Sequence, residues 1–106
     1  MHSFFFRIIW TRSAIGIALD KEISELNIQI PMTPYYFWPR TKGWDLLKNS
    51  LKLIPWLSSL DQITILNNYT KILHLWINSD GNLDIFDDKW LIDVQKRYNF
   101  ILIASD

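Results

Sequence analysis

The chain has no cysteine among its 106 residues. That removes disulfide frameworks, thiolate zinc sites and cysteine nucleophiles, and it disfavours a small secreted scaffold. Glycine occurs only three times, always isolated, so no glycine-rich loop is available to cradle a phosphate. The two histidines are unpaired: His2 lies in a terminus expected to fray, and His74 has no histidine or carboxylate one turn away on its helix. Neither supplies the ligand set that zinc needs. No serine sits in a nucleophile-elbow context. The apolar runs fall far short of the roughly 20 residues that cross a bilayer as a helix. Phe4-Phe5-Phe6, interrupted by Arg7, is too short for a secretory signal, and nothing rich in arginine and serine precedes the domain as a transit peptide would. Valine occurs once and alanine three times, against sixteen isoleucines and seven asparagines. That skew follows A/T-rich codons rather than any physical demand.

What is present is apolar and ring-rich. Hydrophobic residues make up 49% and charged residues 21%, with six tryptophans. Such a chain reads as one globular domain over residues 1–106, with a modest core. The stretch on which it turns is Pro34-Tyr35-Tyr36-Phe37-Trp38-Pro39-Arg40, running into Thr41-Lys42-Gly43-Trp44-Asp45. Two prolines bracket four aromatics, which makes an extended connector with rings to both sides, not a helix or a central strand.

Around it, alternation predicts an antiparallel hairpin from Phe4–Trp10 and Ala14–Asp20, with the small face of Ala14, Gly16 and Ala18 leaving room for Phe4 or Phe6. Ile28–Ile30 reads as a short edge strand closed by Pro31. A first helix is expected from about Lys42 to Leu53, capped by Thr41, with Trp44, Leu47, Leu51 and Ile54 as its apolar stripe. A second runs from Ser58 or Ser59, where Ser59–Gln62 fits a capping box, to about Ile77. Leu60, Ile63, Leu66, Leu73 and Ile77 form its stripe, widened by Ile65, Tyr69, Ile72 and Trp76. A third, short helix is capped by Asp87 or Asp88 and ends near Arg97. Phe100–Ala104 then closes the chain as a strand covered on both faces. The expected fold is α+β: a small antiparallel sheet, hairpin plus C-terminal strand, packed against two central helices, with Trp44, Trp56 and Trp76 in the core.

Asp80, Asp84, Asp87 and Asp88 invite a calcium reading, but the glycine and glutamate positions of an EF-hand loop are missing, so a solvated turn and a helix cap suffice. No metal, cofactor or catalytic group is expected. Charge is zero overall yet polarised. Five cations against two anions occupy residues 40–71, and six aspartates against three cations occupy residues 79–106. Arg40, Lys42, Lys48 and Lys52, with Trp38 as a stacking ring, are the candidate RNA-binding residues. An ordinary solvated helix face is the commoner reading of Lys48 and Lys52, and tryptophans are more often core than platform.

Tyr36–Arg40, Gly43-Trp44-Asp45, Pro55-Trp56-Leu57 and the segment from Asn67 to Trp76 resemble, in order and spacing, the plastid-specific ribosomal protein three family of chloroplasts and cyanobacteria. Gly43, Asp45 and Leu57 depart mildly from its usual alanine, glutamate and isoleucine. The resemblance implies a non-enzymatic component of the small ribosomal subunit. Its partners would be rRNA and neighbouring ribosomal proteins, with no membrane, small-molecule substrate or homo-oligomer. Its place would be the plastid stroma, and the codon skew with the missing transit peptide favours a plastid-encoded chain. The residues alone leave two alternatives: an aromatic-rich protein–protein interaction module, or a small-ligand-binding domain with a pocket under the rings.

Overall fold

Aromatic and branched side chains fit a pleated, half-buried surface, and the first of them build β1 (His2–Trp10). This is a computed structural model describing residues 2–105; Met1, the side chain of His2 and Asp106 lie outside the described residues, and so do the expectations resting on the His2 side chain and on Asp106. Thr11 closes the hairpin: its Oγ1 accepts from Ala14 N at 3.0 Å and donates to Ala14 O at 2.8 Å. β2 (Ile15–Ile23) returns antiparallel. The register sets Phe6 against Leu19, Ile8 against Ile17 and Trp10 against Ile15, and none of these six is more than 2% exposed. The other face pairs Ile9 with Gly16, Arg7 with Ala18 and Phe5 with Asp20.

A single 3-10 turn (Ser24–Leu26) leads to β3 (Ile28–Pro31), the expected edge strand, which pairs with the far end of β2. β4 (Tyr36–Trp38) pairs with the near end of β2, and β5 (Phe100–Ser105) flanks β1 on the other side. Three helices connect the last two strands: α1 (Gly43–Lys52), α2 (Ser59–Asn78) and α3 (Asp88–Arg97). Their starts are chemical. Ser58 Oγ accepts from Asp61 N at 3.0 Å, and Asp87 Oδ1 from Trp90 N at 2.7 Å, so Ser58 caps α2 and the Ser59 box is not the cap.

The end of α2 is locked onto the hairpin turn. Trp76 Nε1 donates to Thr11 O at 2.8 Å, and Trp10 Nε1 donates to Gly81 O at 3.2 Å. Gly81 has φ of +73°, and a Cβ there would stand 2.6 Å from Arg12 O. Only glycine allows this approach.

The α+β class, the hairpin, the C-terminal strand in the same sheet, the helical pair on one face and the short third helix all match expectation. Five details differ. β5 runs parallel to β1, with Phe6 beside Phe100 and Ile8 beside Leu102, so the sheet is mixed rather than antiparallel. The helices between β4 and β5 carry the chain across, the kind of long connection that parallel neighbours require. β5 is covered on one face only: Phe100 is buried and Leu102 half-buried, while Ile101 and Ile103 are exposed. On α2 the core side is Ile65, Tyr69, Ile72 and Trp76, whereas Leu60, Ile63 and Ile77 face outward. The helix is apolar on most sides, and burying the two large rings removes more surface from water than burying single aliphatics. Finally, Trp76 is buried at 8% exposure as expected, but Trp44 and Trp56 are 39% and 51% exposed. Trp56 lies stacked on Phe4 (centroids 6.3 Å apart) with Lys21 Nζ 4.5 Å from its ring. The small face of β2 is filled by Phe37, not by Phe4 or Phe6.

Candidate nucleic-acid interface

Strand alternation sorts the four connector rings. β4 sets Tyr36 against Ile17 and Trp38 against Ile15, on the helix face, where both pack against the core. Phe37, opposite Gly16, takes the other face, with the Tyr35 ring 6.1 Å away. Trp38 is therefore half-buried packing and not an open stacking ring, which corrects its place among the candidates. The exposed ring is Phe37.

After Trp38 a cis peptide leads into Pro39, and the chain turns through Arg40, Thr41 and Lys42, all exposed. The turn is closed from within: Thr41 N and Thr41 Oγ1 both donate to Phe37 O at 2.8 Å. Thr41 thus serves the turn, and Lys42 occupies the N-cap position with no side-chain cap. Gly43 then enters α1 beneath Tyr69 and Tyr36: a Cβ would collide with the Tyr69 hydroxyl and lie 2.9 Å from Tyr36 Cβ. Burial, with the Tyr36 hydroxyl nearby, pushes the Tyr69 phenol up to about 12.

The helix sorts its residues into two stripes. Gly43, Leu47 and Leu51 are buried, while Trp44, Lys48 and Lys52 line up one turn apart beside them, Trp44 and Lys52 exposed and Lys48 half-buried. Trp44 therefore belongs to the basic stripe, where Lys48 Nζ lies 5.2 Å from its ring centre. The sequence stripe missed this because Trp44 adjoins the buried position of Gly43. Arg40, Lys42, Lys48 and Lys52 consequently follow one continuous segment, whose helical part rises about 15 Å. Among the described residues Arg40, Lys42 and Lys52 have no ion-pair partner. Asp45 is the one acid on this segment.

Two features escaped sequence reasoning. On the sheet face away from α1 and α2, Arg7 Nε lies 2.8 Å from Asp20 Oδ2, and the Arg7 guanidinium also meets the Tyr35 hydroxyl at 3.4 Å and ring at 5.1 Å. The Nε–H is not aimed well enough to count as a hydrogen bond, and Asp20 Oδ1 is buried without a partner among the described residues. The ion pair joins β1 to β2, and the contact of Arg7 with Tyr35 ties the connector to the sheet. A strand alternation that places Arg7 and Asp20 on one face was its only signal. The other feature is an apolar corner where α1 meets α2: Leu53, Trp56, Leu60 and Ile63 are 83%, 51%, 72% and 56% exposed. Two surface hollows are relevant. One of about 490 Å³ lies between α3 and the sheet, lined by residues including Phe5, Ile92, Lys96 and Ile101. Another of about 360 Å³ lies beside the basic turn.

Fold and surface define a small α+β domain that presents a basic, ring-backed turn. Among the described residues no group of three or more metal-ligating side chains comes together, and no helix is long and apolar enough to cross a membrane. The chain belongs to the plastid and cyanobacterial ribosomal protein (PSRP-3 / Ycf65) family, whose model matches residues 32–79, from the connector to the end of α2. It is 43% identical over 77 residues to small ribosomal subunit protein cS23y of Arabidopsis thaliana, covering 73% of this chain and 42% of that protein. It is 35% identical over 101 residues to cS23 of Gracilaria tenuistipitata var. liui, covering 95% and 97%. With the probable cS23 of a Synechococcus strain it shares 33% over 106 residues, covering 100% and 99%. The chain thus spans less than half of the Arabidopsis relative and nearly all of the other two.

Proposed function

We propose that this protein is a structural, non-enzymatic component of the small ribosomal subunit, working as one domain in the plastid stroma and encoded by the plastid itself. Its basic turn and the outer stripe of α1 meet rRNA through Arg40, Lys42, Lys48 and Lys52. The observation that carries this reading is the unpaired state of Arg40, Lys42 and Lys52 on a segment that lies wholly within the family match. Charges meant for their own fold are usually paired or dispersed. Three unpaired cations along one segment of a protein of zero net charge favour a polyanion at that face. The relatives named as small-subunit proteins, two of them nearly coextensive with this chain, point the same way.

The apolar corner of Leu53, Trp56, Leu60 and Ile63 supports contact with neighbouring ribosomal proteins, since exposed tryptophan and aliphatics cluster at the centre of such interfaces. No homo-oligomer or small-molecule substrate is needed.

The test is a charge reversal, Arg40→Glu with Lys42→Glu, in co-sedimentation with small subunits across a salt series. Neither side chain is buried, so the isolated variant keeps the wild-type melting temperature. Binding weakens and its salt dependence flattens, because each lost phosphate contact removes a counterion-release term. A folded variant whose retention curve overlays wild type would show that this turn does not face RNA.

A further inference from the structure

Phe37 and Tyr35 are the connector rings on the face away from α1 and α2, and Phe37 is the more exposed of the two. A Cβ at Gly16 would lie 2.6 Å from its Cε1, so one side of the ring is seated directly on the backbone of β2. Tyr35 flanks it, and 37% of the residue remains exposed. A ring fixed from behind and open in front loses little freedom when something stacks on it.

Beside that ring is the hollow of about 360 Å³, lined by Ser13, Ala14, Phe37, Pro39 and Arg40. Its volume is at the low end for pockets that take one small ligand. The lining holds a ring, a guanidinium and a hydroxyl, and no acid. Arg40 is without an ion-pair partner among the described residues, as is Lys42 two positions on. A π-face with an unpaired cation beside it is the chemistry that holds a base by stacking and its phosphate by charge. Bases within a duplex are already stacked, so only an unpaired nucleotide fits. A protein side chain would satisfy the ring and leave both cations unanswered.

We infer that the hollow between Phe37, Pro39, Arg40 and Ser13 binds one unpaired nucleotide of RNA, stacked on Phe37 with its phosphate at Arg40. This rests on the proposal that the basic turn faces rRNA, and adds which ring is used and what it takes. Trp38, the ring named from sequence, has no part in it.

The experiment titrates the full-length protein against purified small subunits freed of it by high salt. Variants are Phe37→Leu and Phe37→Tyr, beside the Arg40→Glu, Lys42→Glu pair. Stacking on a ring is worth enough that Phe37→Leu should weaken binding about 5- to 100-fold. The slope of log Kd against log salt should stay unchanged, because no phosphate contact is removed. Phe37→Tyr keeps the π-face and should bind within about twofold of wild type, on the same stacking argument. Thermal melting of each free variant checks folding. Should Phe37→Leu fail to fold, ultraviolet crosslinking of the wild-type complex replaces it, and a nucleotide adduct on Phe37 at an unpaired base is the supporting result. A folded Phe37→Leu that binds like wild type overturns the proposal, as does an adduct map in which Phe37 meets only another protein. If in that case the charge-reversed pair still loses binding, the pocket alone fails. If both bind as wild type, the rRNA-facing reading fails with it.

Discussion

Adding one methyl group to Gly43 tests the packing that presents the basic turn. Gly43 is buried at the first position of α1, under Tyr69, which is 1% exposed. A Cβ there would collide with the Tyr69 hydroxyl and approach Tyr36 Cβ to 2.9 Å. The phenol end cannot swing away easily, because the Tyr69 ring packs edge-on against Phe6 at 6.4 Å. Tyr36 Cβ cannot move without β4, which is hydrogen-bonded to β2. Overpacking of this kind costs about 1–3 kcal/mol, against a gain of at most about 1 kcal/mol in helix propensity from Gly to Ala. With the full propensity gain subtracted, the net expectation for Gly43→Ala is a loss of up to about 2 kcal/mol, or up to roughly 16 °C in Tm for a domain near this size. Tyr69→Phe in the Gly43→Ala background removes one of the two clashes and should recover part of the loss. The double-mutant cycle should therefore give a coupling of at least about 0.5 kcal/mol. Thermal melts by near-ultraviolet circular dichroism supply all four corners. Gly43→Ala melting at or above wild type would refute the reasoning, since it would leave helix propensity as the only effect of the methyl.

Trp76→Ala removes a buried indole and its hydrogen bond to Thr11 O, at a cost of about 3–5 kcal/mol; Trp56→Ala, at 51% exposure, should cost far less by denaturant titration. Equal losses would contradict the observed placement of the two rings. Alkaline pH should destabilise the fold through Tyr69, whose phenol is raised from 10.0 to about 12. The unfolded chain gives up that proton first, so the contribution is complete below pH 10 and is lost between about 10 and 12. In Tyr69→Phe the fall in Tm over that window should be shallower, and an unchanged slope would show that another group is responsible. Arg7→Met should cost about 3–5 kcal/mol by leaving the Asp20 carboxylate buried and unpaired, whereas Arg7→Met with Asp20→Leu should recover most of it.

Local chemistry was readable in the chain, and the sides of elements were not. Thr11-Arg12-Ser13, Pro31, Pro55 and Asp87 act where a turn, an edge or a cap was expected. Alternation, however, yields a period without a phase, and in a run of four aromatics a slip of one residue exchanges the faces. Hence Trp38 and not Phe37 stood as the open ring. The same ambiguity put Trp44 on the core stripe beside Leu47, when the buried neighbour is Gly43. On α2, apolar on most sides, the sheet could have taken either Leu60, Ile63 and Ile77 or the ring-bearing set that it does take. The direction of β5 depends on how the helices traverse the sheet, which no residue within Phe100–Ser105 encodes. The Arg7–Asp20 pair needed the hairpin register before its partners could be matched.

On the proposed function, this domain sits in the small ribosomal subunit with its basic turn on rRNA. Tagged protein from a plastid lysate, sedimented through a sucrose gradient and then crosslinked and sequenced, tests it most directly. The expected result is migration with the small subunit, release at raised salt, and rRNA adducts concentrated between Phe37 and Lys52. Protein remaining at the top of the gradient, or migrating with the subunit while its adducts join residues 37–52 only to other proteins, would contradict it.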